Sequence, residues 1–269
     1  MNTVQIVGIL NTTPDSYFDG GRYDAVSTAL SRAKEMKSHG ADIIEIGGQS
    51  TGPGSKDVSL DEELSRTIPI IKMIKEEMPD CVMSIDTYVS DIAKEAIAAG
   101  VSMINDVTAG RGSDGLFEIV ANTGVQLVLM YAKDSTPRTT VEKIEYEDVI
   151  STIKSFLLSR IEEAKRRGVA SSSIIIDPGM GHFISSDPVY SFEVIRRLSE
   201  LSLIAPIFVS PSRKSFLAGP EKLPPEDRLP VTIAASLACV TNGASYLRTH
   251  DVQEISRALQ TQASIQVCR

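Results

Sequence analysis

Tryptophan is absent from the 269 residues, and all aromatic residues together make up only 5% of the chain. With a formal net charge of −8 as well, the chain lacks the basic grooves and stacking rings on which nucleic-acid binding rests. A small anionic ligand is still compatible with that charge, because it needs only a local cationic pocket. Cysteine is equally scarce. Cys81, Cys239 and Cys268 are odd in number and far apart, matching neither a disulfide framework nor a zinc pattern. No Cys/His or Ser/His/Asp signature marks a covalent nucleophile. No apolar run approaches the roughly 20 residues that cross a bilayer, so no membrane association is expected. No signal-peptide pattern precedes the first strand, which makes the cytoplasm the expected compartment. A GxGxxG turn is also missing, which argues against an open doubly wound dinucleotide-binding sheet.

What is present is a core-forming chain, 42% hydrophobic and 23% charged. Short, largely apolar runs recur at residues 4–11, 41–48, 82–87, 103–107, 126–131, 173–179, 206–212 and 245–251, as in parallel strands buried on both faces. Amphipathic stretches separate them, clearest at 25–40, 61–78 and 148–168. Gly40, Gly100, Gly168 and Gly243 stand where helices should stop before the next strand. Eight strands alternating with helices over residues 1–269 predict a single-domain (β/α)8 TIM barrel. The breaker-rich stretch 218–230 reads as the loop after strand seven.

In such a barrel the carboxyl ends of the strands build the site. Those ends carry Asn11; Gln49, Ser50 and Thr51; Asp86; Asn105 and Asp106; Tyr131; Asp177; Ser212, Arg213, Lys214 and Ser215; and Arg248, His250 and Asp251. A polar group is thus expected at the mouth from every strand. For Asp106 and Asp251 a competing reading is a cap on the following turn or helix. Asp86, Asn105 and Asp177, with Lys214, offer donors and acceptors suited to the edge of a flat nitrogen heterocycle. Arg248 and His250, two residues apart on one strand, share a face and read as an anion clamp. Asn11 could give a neutral oxygen to Mg²⁺ held beside phosphates. After Asn11 the segment at residues 12–21 is dense in hydroxyls, aspartates and glycines, and it reads as a closing, ligand-holding loop.

The runs "GILNTTPDSYFDGG", "IIEIGGQSTGPG", "SIDTYVSDIAKEA", "INDV", "IIIDPGMG", "SRKSF" and "LRTHDV" resemble, in order and spacing, the dihydropteroate synthase family of folate biosynthesis. The resemblance covers essentially the whole chain. It implies condensation of 6-hydroxymethyl-7,8-dihydropterin pyrophosphate with p-aminobenzoate, giving 7,8-dihydropteroate and pyrophosphate, with Mg²⁺ as cofactor and a homodimer as the assembly. Carried over motif by motif, Asp86, Asn105, Asp177, Lys214 and Arg248 would bind the pterin. Asn11, Arg248 and His250 would hold the pyrophosphate, Asn11 also serving the metal. Thr51, Pro53, His182 and Ser215 would meet the p-aminobenzoate. On this reading the residues closest to the chemistry are Asn11, Lys214, Arg248 and His250. Pterin-binding methyltransferases share the Asp–Asn–Asp set but lack the first-loop and "SRKS" runs. A non-catalytic pterin carrier would not need Asn11 or His250.

Departures from the family pattern gather around the acceptor. Gly52 stands where the family has a loop arginine, Gln49 where it has Glu, Tyr131 where a His is typical, and His182 where Phe is common. The expected pterin residues are intact. An ordinary synthase, a synthase with a reshaped pocket that discriminates against sulfonamides, and a pterin protein with another acceptor are all compatible with this pattern.

Overall fold

The computed structural model describes residues 4–12 and 22–267. The reading of the first loop falls mostly on residues 13–21, outside the described residues. Eight strands run in parallel: β1 (Gln5–Asn11), β2 (Ile43–Gly47), β3 (Val82–Asp86), β4 (Met103–Asp106), β5 (Gln126–Met130), β6 (Ile174–Asp177), β7 (Phe208–Val209) and β8 (Tyr246–Thr249). Their order around the sheet is β6-β5-β4-β3-β2-β1-β8-β7, and a parallel bridge between Ile176 and Ile207 closes the ring. Eight α-helices alternate with them among the described residues: α1 (Arg22–Ser38), α2 (Leu60–Glu77), α3 (Ser90–Ala98), α4 (Leu116–Thr123), α5 (Val149–Arg166), α6 (Pro188–Arg196), α7 (Leu229–Thr241) and α8 (Val252–Val267). This is the (β/α)8 barrel that the alternation predicts. None of these helices is long and apolar enough to cross a membrane.

The helix stops follow from backbone sterics. Gly40, Gly100, Gly168 and Gly243 all have φ between +94° and +116°, a region that glycine enters without a Cβ clash. The seventh strand is shorter than the sequence suggests. Pro206 and Pro211 flank it, and neither can donate a ladder hydrogen bond.

Strand parity positions the site. Val7, Ile43, Met103, Val128, Ile175 and Phe208 form a buried cluster, with Tyr246 packed against it, and this cluster fills the barrel. The alternate residues Ile6, Ile44, Ile104, Leu127, Ile176 and Leu247 join the larger core shared with the helices. Two residues up each inward row lie Glu45, Asn105, Met130, Asp177 and Arg248, and Asn11, Gly47 and Asp86 follow at the rim. An apolar plug therefore floors a polar mouth.

Parity also corrects the strand-end reading of Tyr131 and decides between the two readings of Asp106. Tyr131 follows the inward Met130 and faces outward. Its ring meets Phe156 edge-on, with centroids 5.3 Å apart, and its hydroxyl lies 3.1 Å from the Tyr146 hydroxyl. The fifth strand thus brings no polar group to the mouth, and Tyr131 cannot replace a mouth histidine. Asp106 likewise points away from the lumen. Its carboxylate accepts from Thr108 N at 2.8 Å, from the Thr108 hydroxyl at 2.7 Å and from Gly110 N, so it caps the turn after β4.

Candidate active site

A residue absent from the strand-end reading stands at the centre of the mouth. Glu45, in the middle of β2, is fully buried. Its carboxylate pairs with Arg248 Nε and accepts from Asn105 Nδ2 at 3.1 Å and from Ser84 Oγ at 3.3 Å. Arg248 reaches the other way with Nη2, which donates to Asp86 Oδ2 at 2.8 Å. Two carboxylates thereby hold one guanidinium in a fixed plane across the lumen. Glu45 is legible in the sequence only as a charged residue at an inward position of an otherwise apolar strand.

The expected pterin residues converge on this pair. Asn105 Oδ1 is buried and has no partner within the protein, although its amide nitrogen is engaged. A buried acceptor left open at a binding mouth suits a donor from a ligand. Asp177 is buried at the end of β6 and accepts from Gly179 N at 2.7 Å. Gly179 has φ +70°, and a Cβ there would sit 2.5 Å from the Tyr131 carbonyl oxygen, so this turn admits no side chain. Lys214 donates to the Met180 carbonyl at 3.4 Å, and its ammonium lies 5.2 Å from the centre of the Phe183 ring.

Burial shapes the charges. It holds the Asp86 carboxyl well above the usual carboxylate range, with Arg248 opposing the shift and Glu45 adding to it. Asp177 is pushed up to about 6, chiefly by burial and against the pull of Lys214. Lys214 is drawn down to about 8 by the same desolvation. Three carboxylates thus face two cations, a balance suited to a neutral, donor-rich heterocycle.

At the rim, His250 Nδ1 lies 2.9 Å from Ser212 Oγ, which also accepts from His250 N at 3.2 Å. Burial, with Arg248 beside it, lowers the imidazole to about 4, so it is neutral at ordinary pH. With Nδ1 engaged, Nε2 is the nitrogen left to meet an anion. Asn11 is exposed at the end of β1 next to Gly47, where a Cβ would come within 3.7 Å of its amide oxygen. No group of three or more His, Cys, Asp or Glu residues among the described residues could hold a metal ion.

The four expected acceptor residues fall in one sector. His182 Nε2 lies 3.0 Å from Ser215 Oγ, and its Nδ1 is buried without a partner. The His182 carbonyl accepts from Thr139 Oγ1 at 2.8 Å, and Thr139 N donates to the Thr51 carbonyl at 3.2 Å. Thr51 is thereby brought beside the other two, and Pro53 is exposed two residues further along the same loop. Burial lowers the His182 imidazole, with Lys133 and Lys214 adding to the effect. A second residue not anticipated from sequence is Arg138, on the β5–α5 connection. It pairs with Asp57 and donates to the Lys56 carbonyl at 2.9 Å, to Ser55 Oγ at 3.2 Å and to Gln49 Oε1 at 3.4 Å. Loop residues 49–57 therefore carry a guanidinium supplied from another segment, in the same loop that lacks an arginine at Gly52.

A closed parallel barrel with a carboxylate-rich mouth, and with Arg248 and His250 toward its rim, defines an enzyme that binds a flat heterocycle carrying a charged group. Residues 7–250 match the family model described as pterin binding enzyme. A dihydropteroate synthase from Synechocystis sp. is 37% identical over 254 residues, spanning 94% of this chain and 86% of its own. The structure of a Xanthomonas albilineans dihydropteroate synthase with 4-aminobenzoic acid superposes with a TM-score of 0.91 at 33% identity, covering 100% of this chain and 95% of that one. The Burkholderia cenocepacia dihydropteroate synthase complexed with 7,8-dihydropteroate gives 0.87 at 31% identity, over 99% and 92%. The chain belongs to the dihydropteroate synthase family of pterin-binding enzymes.

Proposed function

We propose that this enzyme condenses 6-hydroxymethyl-7,8-dihydropterin pyrophosphate with p-aminobenzoate, releasing pyrophosphate and 7,8-dihydropteroate. The observation that carries the reading is the open Asn105 acceptor set among Asp86, Asp177 and the Glu45–Arg248 pair. Asp86 and Asp177 accept the paired N–H donors of the amino-pyrimidinone, Asn105 Oδ1 accepts a further one, and Lys214 meets the ring's acceptor edge. Arg248, held flat by its two carboxylates, packs over the ring face. Asn11, Arg248 and His250 receive the pyrophosphate.

Bond breaking at the exocyclic methylene leaves positive charge that the pterin ring can delocalise. The chain assists by neutralising the leaving group with Arg248 and the Nε2 proton of His250. The arylamine then attacks an electron-poor carbon, and its proton passes to solvent. Asn11 suits Mg²⁺, because one neutral oxygen is enough for an ion that keeps its waters and takes its other ligands from phosphate. Bound there, Mg²⁺ would supply further charge neutralisation to the pyrophosphate.

Thr51, Pro53, His182 and Ser215 accommodate the p-aminobenzoate. His182 and Gly52 depart from the family pattern around that acceptor, which supports discrimination against the longer sulfonamides. We assign the enzyme to the cytoplasm and to a homodimer. The dimer is supported by the exposed apolar residues of α6, where Val189 and Phe192 are each about half exposed. The test is pyrophosphate release from the pterin pyrophosphate with Mg²⁺, with and without p-aminobenzoate. Release that depends on p-aminobenzoate is expected, and Asp86→Ala should abolish pterin binding. Pterin binding without acceptor-dependent release would sink the synthase reading in favour of a carrier or another acceptor.

A further inference from the structure

Arg213 stands between Ser212 and Lys214, with φ at +55°. It is one of three non-glycine residues in the left-handed region among the described residues, where a Cβ is crowded against the backbone. Such a conformation persists only where its surroundings over-determine it. Here they do so from both sides. The Arg213 backbone N donates to Thr232 Oγ1 at 3.0 Å, and its carbonyl accepts from Arg228 Nη1 at 2.8 Å. Its guanidinium forks onto Asp251, with Nε to Oδ2 at 2.9 Å and Nη2 to Oδ1 at 2.6 Å. The remaining nitrogen, Nη1, donates to the carbonyls of Pro225 at 2.9 Å and Glu226 at 3.2 Å.

The reversal at residue 213 has a geometric result. Ser212 turns to His250, Lys214 turns into the mouth toward Met180 and Phe183, and Arg213 itself turns away to Asp251. Asp251 directly follows His250 in the chain. The fork therefore joins the neighbour of Lys214 to the neighbour of His250, across two strands that share only a short ladder at Phe208–Tyr246 and Val209–Leu247.

We infer that Arg213, through its fork onto Asp251, is a positioning residue that sets Lys214 against His250, so that the heterocycle and its leaving group are held in one register. The inference rests on the pterin pyrophosphate reading of the site. The Arg213 guanidinium is taken up by Asp251 and two backbone carbonyls, away from the groups assigned to the substrate. Arg213 and Asp251 fix the separation between two of those groups, and reaction rates are sensitive to misplacements of about 1 Å.

Steady-state kinetics of Arg213→Lys, Asp251→Asn and the double variant test this, with melting temperature measured alongside. Lysine keeps the charge but cannot reproduce the fork. Each single variant should lower kcat/KM for the pterin pyrophosphate roughly tenfold to a hundredfold, with KM raised as well as kcat reduced. The double variant should be no worse than either single one, because both remove the same contact. Arg213→Gly relieves the backbone but loses the fork, and it should show the same loss. A reduced melting temperature with KM unchanged for both substrates, losses that multiply in the double variant, or full activity in Arg213→Gly would each overturn the inference. Should the wild-type protein show no aminobenzoate-dependent release, the substrate reading fails separately. The positioning claim is then read from calorimetric binding of inorganic pyrophosphate, which Arg213→Lys must weaken, and equal affinity in the two proteins would overturn it.

Discussion

Glu45 and Asp86 grip the same guanidinium, and that arrangement explains how Arg248 can lie largely buried in a barrel lumen. An unpaired arginine there would carry a desolvation cost of several kcal/mol. Removing either carboxylate would leave one edge of the guanidinium without its acceptor. The raised acids give a pH signature. Asp177 titrates near 6 in the folded protein because of its burial, whereas an unfolded aspartate titrates near about 3.9. Its favourable contribution to the ligand-free fold is complete below the unfolded value and is lost as pH rises through about 6. Measured against an Asp177→Asn variant, the melting temperature of the empty wild-type protein should therefore fall between pH 4 and 7. A bound pterin, whose N–H donors favour the ionised carboxylate, should reverse that trend, and pterin affinity should climb over the same range. A wild-type-minus-variant difference that stays flat with pH would refute the assignment of Asp177 as a buried, ligand-facing acid.

Among the elements, loop residues 49–57 differ most from what their sequence suggests. Gly52, Pro53 and Gly54 read as a free, flexible run, yet the segment is tied at both ends. Gln49 Nε2 donates to the buried Glu63 carboxylate at 2.8 Å, and Arg138 clasps residues 55–57. The loop is thus held beside Thr139 and His182 by a side chain more than 80 positions away. Arg138→Ala should raise KM for p-aminobenzoate about tenfold, the magnitude of losing a charge-assisted contact of roughly 1.5 kcal/mol, while pterin affinity stays the same. Equal losses for both substrates would show that the loop does not serve the acceptor alone. At the Gly179 turn a glycine after Asp-Pro signals the turn locally and φ is +70°, whereas its tight approach to the Tyr131 carbonyl is a tertiary contact.

For the whole molecule, the ring of strands gives each helix an apolar inner face, but α6 keeps exposed apolar residues as well. Phe192 is half exposed, and Val189 is comparably so. Exposed apolar surface of this kind marks contact surfaces on soluble proteins. In the proposed homodimer this face is covered, and Phe192→Glu should shift the protein to monomer in sedimentation equilibrium while the barrel stays folded. A variant that remains dimeric would place the interface elsewhere.

Much of this architecture is local and therefore readable in the chain itself. Strand and helix alternation, the four helix-ending glycines and the polar residues after each apolar run depend on short-range sterics and on period-two or period-3.6 burial. On that basis the barrel and the placement of Asp86, Asn105, Asp177, Lys214, Arg248 and His250 at its mouth follow from sequence order. The capping alternative read for Asp106 holds, but the sequence did not distinguish Tyr131, which faces away from the lumen, from residues that face into it, because strand ends look alike until register fixes parity. Nor could it reveal that Glu45 anchors Arg248, that Arg138 serves a loop lacking its own arginine, or that Arg213 bridges to Asp251. Those partners lie 203, 83 and 38 positions apart. They meet only when ring closure brings distant strand ends and loops to one mouth, and no local preference encodes such a meeting.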